Sequence, residues 1–330
     1  MSTNTNLKRV LVIQPLHQKG MAMLEAREDV EIIVCDSINE DDLVAAARNV
    51  HAMTVRGARI TKRIMDSAPE LMVVSRHGVG YDAVDLDEMN RRNIPLCIAT
   101  HSNMVSVAEQ AMAFMLTLAK EVSFYDPIAR RDDWAARFPV RGFDLENKNL
   151  LIVGFGRIGS RVAKRSNGFD MDVYAYDPYV DDKVIRAGGA EPVSDYNAVL
   201  GDMDVVAIHC MKTAETTHMF AESQFKAMKT SSIIVNCARG GIIDEAALYR
   251  ALTSREIRAA GLDVLEDEPS AQDHPLFTLG QDKLILAPHI AGVTAESMER
   301  MATQTVDNVL RVFDRRADPD CVVNADVLNS

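Results

Sequence analysis

The chain has 330 residues, 47% hydrophobic and 25% charged, which suits a globular protein large enough for two domains. Its net charge of -12 argues against nucleic acid or an anionic membrane as the main partner, but allows a small anion held in a local basic pocket. Five cysteines without a CxxC pair point to neither a disulfide scaffold nor a metal site.

The opening residues, MSTNTNLKRVLVIQP, show no leader pattern, and no stretch reaches the roughly 20 apolar residues of a membrane span. A cytoplasmic setting is expected. The first strand candidates are RVLVIQP, EIIVCDS, AMTVRG, LMVVSRHG and PLCIATHS. Their mostly apolar character predicts strands buried on both faces, hence a parallel sheet covered by helices. Next comes SVAEQAMAFMLTLAK, where Ser106 and Glu109 have capping-box spacing and predict the start of a connecting helix. A long mixed-charge loop follows, RRDDWAARFPVRGFDLENKN, with the chain's single tryptophan, Trp134. From about residue 150 a second strand series begins: LLIVGFG, DVYAYD, DVVAIHC, SIIVNCAR, IRAAGLDV and LILAPHI. Two β/α series in succession imply an α/β protein of two doubly wound parallel-sheet units. The last segment, TAESMERMATQTVDNVLRVFDRR, has helical spacing at Met298, Met301, Val306, Val309, Leu310 and Phe313.

In LLIVGFGRIGSRVAKR, Gly154, Gly156 and Gly159 stand in GxGxxG spacing directly after a strand. By itself this is a weak signal, but the strand–turn–helix context suits it to a pyrophosphate, with free N–H groups of the helix start facing the phosphates. The next strand ends in Asp177, 18 residues beyond Gly159, near the spacing of a ribose-binding acid. A carboxylate there accepts the ribose hydroxyls and repels a 2′-phosphate. Pro178 and Tyr179 supply no cation for that phosphate, so NAD is favoured over NADP.

Ligands of an open α/β sheet sit at the carboxyl ends of its strands. In the second series these ends present Asp177, His209, Cys210, Arg239, Asp263 and His289. A dehydrogenase acting on a 2-hydroxy acid needs a cation for the carboxylate and the C2 oxygen, a role for arginine. It needs a proton carrier, a role for histidine, and a carboxylate to orient the imidazole. Arg239, one acid of DVLEDEP (263–269) and His289 make a usable set. His209 reads as cofactor-side lining.

Together the stretches HGVGYDAVDL, SVAEQAMAFML, GFGRIG, YDP, NCARGGIIDEAAL, AGLDVLEDEP and APHIAG resemble the D-isomer-specific 2-hydroxyacid dehydrogenases, in the family order and over nearly the whole chain. The resemblance implies a Rossmann NAD-binding domain, residues 104–290, inserted in a flavodoxin-like substrate domain made of residues 1–103 and 291–330. It implies that Arg239, Glu268 and His289 are catalytic, and it selects Glu268, the acid before Pro269, over Glu266 and Asp267, which read as solvated. Arg157 and Ile158 fall on the phosphate-loop pair, Asp263 on an acid that contacts the nicotinamide amide, and Cys210, Cys237 and Ala238 on cofactor-lining positions. Val79 and Gly80 fall on the segment whose N–H groups hold the substrate carboxylate, with Asn103 on the same substrate side. Arg56 and Arg76 resemble arginines of phosphoglycerate dehydrogenases, where a second anionic group is bound, whereas His77 and His101 read as structural. Met211-Lys212 departs from the usual Pro-Leu and bears on cofactor packing.

The expected function is an NAD-dependent oxidoreductase of a D-2-hydroxy acid, most like a short phosphoglycerate dehydrogenase and forming a homodimer through the nucleotide domain. A glyoxylate or hydroxypyruvate reductase is the alternative within the enzymes. An NAD(H)-binding corepressor-like interaction protein is the alternative outside them. The formate dehydrogenases of the superfamily carry glutamine at the position of Glu268 and are disfavoured.

Overall fold

The computed structural model describes residues 7–138 and 141–329. The chain folds as two compact units, Met1–Asn103 with Val293–Ser330, and Met104–Gly292.

The first unit is built on a five-stranded sheet: β1 (Lys8–Ile13), β2 (Val30–Cys35), β3 (Ala52–Val55), β4 (Val73–Arg76) and β5 (Leu96–Ile98). All pairs are parallel, in the order β2-β1-β3-β4-β5, the flavodoxin-like winding. Alternation along β1 explains why both faces need cover. Leu11 and Ile13 join one core with Met53, Val55, Val74 and Leu96. Val10 and Val12 join another with Leu24, Ala302, Val306 and Val309. The second core depends on the helix Ala295–Phe313, which returns from the far end of the chain. That helix is tied down by Ser75 Oγ donating to the Thr305 carbonyl (2.9 Å) and Asn308 Nδ2 donating to the Ile98 carbonyl (3.0 Å).

The second unit carries β6 (Asn149–Val153), β7 (Asp172–Tyr176), β8 (Glu191–Pro192), β9 (Val205–Ile208), β10 (Ile233–Asn236), β11 (Ala259–Leu262) and β12 (Leu284–Leu286). Their order is β12-β11-β10-β9-β6-β7-β8, again all parallel. The winding reverses between β6 and β9, where a doubly wound sheet presents its ligand crevice.

The helix expected from Ser106 starts earlier. It spans Met104–Lys120, so Ser106 is a buried residue of its first turn and not its cap. A further helix, Val122–Arg130, precedes the expected loop and shares only Arg130 with it, and within the loop the one helical piece among the described residues is a 3-10 turn at Trp134–Arg137; Pro139 and Val140 lie outside the described residues. Among the described residues no helix is long and apolar enough to cross a membrane.

Candidate active site

The glycine-rich turn sits where β6 ends, and its neighbours explain its composition. Gly154 has φ +96°, and a Cβ there would lie 2.5 Å from the Cys210 nitrogen and 2.7 Å from the His209 carbonyl carbon. Only glycine lets the β6 and β9 ends approach this closely. Gly156 faces open space, with nothing within 4 Å of where a Cβ would stand. The N–H groups of Gly156, Arg157 and Ile158 have no acceptor among the described residues, and the helix Gly159–Asn167 starts directly behind them. An anion placed there would meet unsatisfied donors and a helix N-terminus.

Asp177 closes β7 beside this turn. Its Oδ2 accepts from Phe155 N–H (2.8 Å) and its Oδ1 from Tyr179 N–H (3.0 Å), which fixes the carboxylate and leaves further lone pairs on both oxygens. His209, at the end of β9, has both ring nitrogens buried without a partner, and burial pushes its pKa down to about 4. The ring is therefore neutral near pH 7. Burial pushes the Cys210 thiol up to about 11 and the Cys237 thiol higher still, so these two line the surface as thiols and not as nucleophiles. Together the open turn, the free amides and the placed acid fit a dinucleotide.

Arg239 follows β10 on a turn made by an asparagine that sequence reading passed over. Buried Asn236 accepts Ala238 N–H at Oδ1 (2.9 Å) and donates from Nδ2 to the Arg239 carbonyl (2.8 Å). The signal was an Asx-turn residue at a strand end. Arg239 Nη1 donates to the Ala238 carbonyl (2.7 Å). A Cβ on Gly240 would collide with the Leu265 carbonyl, so this turn lies directly on the DVLEDEP loop.

That loop sorts its four acids. Asp263 is buried, and its oxygens accept from Ile290 N–H (2.8 Å) and Ala291 N–H (2.9 Å). Burial raises its pKa against the opposing pull of these two amides. Its carbonyl accepts His289 N–H (2.8 Å), so Asp263 ties down the turn in which His289 takes φ 55°, a conformation a histidine keeps only when its surroundings enforce it. The Asp263 carboxylate thus has a local structural task alongside the nicotinamide contact expected of it. Glu268 accepts Leu265 N–H at Oε1 (3.0 Å) and meets His289 Nδ1 at Oε2 (2.6 Å). Burial works against the Glu268 anion. The His289 bond, the Leu265 amide and the nearby charges of His289 and Arg239 outweigh it and hold the carboxyl below its ordinary range. Glu266, expected to be solvated, stands 3.3 Å from His218 Nε2 through Oε1, and its N–H donates to Glu245 Oε1 (2.6 Å). Asp267 is tied through its carbonyl, which accepts from Ser270 Oγ.

In the first unit, Arg56 donates to the Pro15 carbonyl (3.2 Å), and Arg76 to the Val55 (3.1 Å) and His77 (2.8 Å) carbonyls. Burial, and then the charges of Arg56 and Arg76, push buried His77 down to about 4. The structure thus gathers two cations around a neutral ring at the ends of β3 and β4. Val79 and Gly80 follow Gly78 (φ +132°) in the turn after β4, and Asn103 keeps Oδ1 buried without a partner. The backbone N–H of His101 donates to Gln304 Oε1 (3.1 Å).

Residues 112–291 match the family model described as "D-isomer specific 2-hydroxyacid dehydrogenase, NAD binding domain". A D-3-phosphoglycerate dehydrogenase of Methanocaldococcus jannaschii is 36% identical over 306 residues, which are 92% of this chain but 57% of that protein. The chain therefore spans less than two thirds of that relative. A glyoxylate reductase of Thermococcus litoralis is 32% identical over 330 residues, 98% of each. Among solved structures, a D-lactate dehydrogenase from Aquifex aeolicus complexed with NAD and lactic acid superposes with a TM-score of 0.82 at 28% identity, covering 93% of this chain and 96% of that one.

Proposed function

The chain belongs to the D-isomer specific 2-hydroxyacid dehydrogenase family, and from that premise we propose that it moves a hydride between NAD(H) and C2 of a small D-2-hydroxy or 2-oxo acid. The observation that carries this reading is the 2.6 Å contact between Glu268 Oε2 and His289 Nδ1, with the Arg239 charge close enough to favour the Glu268 anion. With Nδ1 committed to Glu268, Nε2 is the nitrogen left for substrate. His289 takes the C2 hydroxyl proton in oxidation and returns it in reduction. Glu268 fixes the ring and offsets the positive charge it gains. Arg239 holds the substrate carboxylate and polarises the C2 oxygen. When bound, NAD supplies the hydride acceptor or donor. Gly154, Gly156, Arg157, Ile158 and Gly159 would hold its pyrophosphate and Asp177 its ribose, with His209, Cys210, Cys237, Ala238 and Asp263 lining the rest.

For the substrate, Arg56 and Arg76 near His77 support an acid with a second anionic group, held with the N–H groups of Val79 and Gly80 and with Asn103. That favours a phosphoglycerate dehydrogenase-like activity. Glyoxylate or hydroxypyruvate reduction is the second reading, supported by end-to-end similarity to a glyoxylate reductase. In the same reading the protein works in the cytoplasm and pairs as a homodimer through the nucleotide unit; the pairing is supported by the aromatic side chains of Trp134 and Phe138, 64% and 65% exposed. NADH oxidation by the purified protein is to be followed with 3-phosphohydroxypyruvate, hydroxypyruvate, glyoxylate, pyruvate and branched 2-oxo acids. The acid with the highest kcat/KM identifies the substrate class. Turnover of none would replace the enzyme with an NAD(H)-binding interaction protein.

A further inference from the structure

Glu268 stands on a loop, and a proton-handling group must be held within a few tenths of an ångström of its working place. The internal tie, Leu265 N–H to Glu268 Oε1 (3.0 Å), shapes the loop without anchoring it. An outside anchor comes from Glu245, whose Oε1 accepts Glu266 N–H at 2.6 Å. Glu245 opens the ten-residue helix Glu245–Ser254, which is N-capped by Asp244 and bound into the core by Ala247, Leu248, Ala251 and Leu252. Its other oxygen lies 3.0 Å from His274 Nε2, and the carboxylate side chain is only 12% exposed. His274 Nδ1 accepts Leu276 N–H (3.3 Å), so the ring carries its proton on Nε2 and donates it to Glu245. Both Glu245 oxygens are therefore engaged.

The placement is costly for a carboxylate. Glu245 lies against a loop that already carries Glu266, Asp267 and Glu268, and like charges repel. A neutral acceptor would cap the Glu266 N–H without that repulsion. What the charge adds is strength, because a charge-assisted bond is roughly twice as strong as a neutral one. It acts on the backbone two residues before Glu268.

We infer that Glu245, backed by His274, is a positioning residue that sets the Glu268 carboxylate against His289 Nδ1. The inference rests on the catalytic reading of that pair. Glu245 touches no reacting atom, and its effect runs entirely through Glu268.

The test is a double-mutant cycle on the full chain, using the 2-oxo acid that the wild type reduces best. Glu245→Ala is expected to lower kcat about 10-fold, the size of one hydrogen bond to a charged group, while the KM for NADH stays put. It should move the pH profile in the same direction as Glu268→Gln. In a Glu268→Gln background the same change should cost less than about 2-fold, because the route it acts through is already cut. Glu245→Gln keeps one oxygen for the Glu266 N–H and should recover part of the rate; it also replaces the alanine variant should that one not fold. A second readout needs no turnover: the His289 Nδ1 proton, expected far downfield in the histidine-labelled wild type from its 2.6 Å contact, should weaken or broaden in the Glu245 variant. Losses that multiply fully in the double mutant, or an unchanged rate and resonance in the folded variant, overturn the inference. If the wild type reduces no 2-oxo acid, the functional reading fails, and the resonance alone still decides the positioning.

Discussion

Replacing Glu268 by glutamine keeps the shape of the side chain and removes its charge. In the wild type its two oxygens face two donors, Leu265 N–H at 3.0 Å and His289 Nδ1 at 2.6 Å. Glutamine offers one acceptor and one donor, so whichever way the amide turns, one N–H meets another. Losing a hydrogen bond to a charged group costs about 1.5–3 kcal/mol. The Glu268 side chain is 37% exposed, which favours the low end of that range. At 1.36 kcal/mol per tenfold, kcat/KM for reduction should fall about 10-fold. The sign of the pH effect follows from the charge. Glu268 stays ionised below the ordinary carboxylate range, so the wild type keeps its anion beside the imidazole at every working pH. Reduction consumes a proton from the ring, and without the anion the protonated ring is less favoured. The fall-off of reduction with rising pH should therefore move to lower pH. Steady-state NADH oxidation from pH 5 to 9 measures both effects. A glutamine variant with the wild-type rate and profile would refute the pairing of Glu268 with His289 as the proton-handling device.

Arg239→Lys keeps the charge but loses the planar fork, and kcat and substrate affinity should fall together, by about 100-fold in kcat/KM, in the same assay; an unchanged value would remove Arg239 from the substrate. Asp177→Ala removes the acid that repels a 2′-phosphate, so the NAD/NADP ratio of kcat/KM should drop about 10-fold or more; an unaltered ratio would contradict the ribose assignment. His77 is neutral in the fold down to about pH 4, whereas the unfolded chain takes up its proton near pH 6.5. Its share of stability is thus complete above pH 6.5 and is lost as pH falls toward 4, up to about 3 kcal/mol. Thermal melts of the wild type between pH 4.5 and 7.5 should slope accordingly, and His77→Gln should flatten part of the slope; parallel curves would disprove it.

Strands buried on both faces leave apolar runs that no partner alters, so β1, β6, β9 and β10 were readable at once, and with them the two parallel sheets. The two-residue edge strand Glu191–Pro192 has no such run and left no trace. The capping-box spacing of Ser106 and Glu109 misled because a long apolar helix can begin earlier when packing covers its first turn. At the site, residues at strand ends were visible one by one. Their ties to one another were not, since those depend on loops meeting in space: Glu268 and His289 are 21 residues apart, and Gly240 meets Leu265 only after both strands are in place. The same limit hid Asn236 and Glu245. Their side chains serve neighbouring backbone, and the spelling NCARGGIIDEAAL does not say which.

The return of the last long helix to the first sheet has a consequence for the order in which the protein forms on the ribosome. Val10, Val12, Ala52 and Val73 present one face of the first sheet, which Leu16 and Leu24 cover in part and Ala302, Val306 and Val309 complete. The first unit is thus begun first and finished last, while residues 104–292 emerge as a continuous stretch that can close its own core in between. Chains released early should carry a folded second unit and a first sheet with one apolar face only half covered, a surface that chaperones and proteases recognise. Lengthening the linker between residues 292 and 295 should be tolerated far better than trimming the helix beyond it.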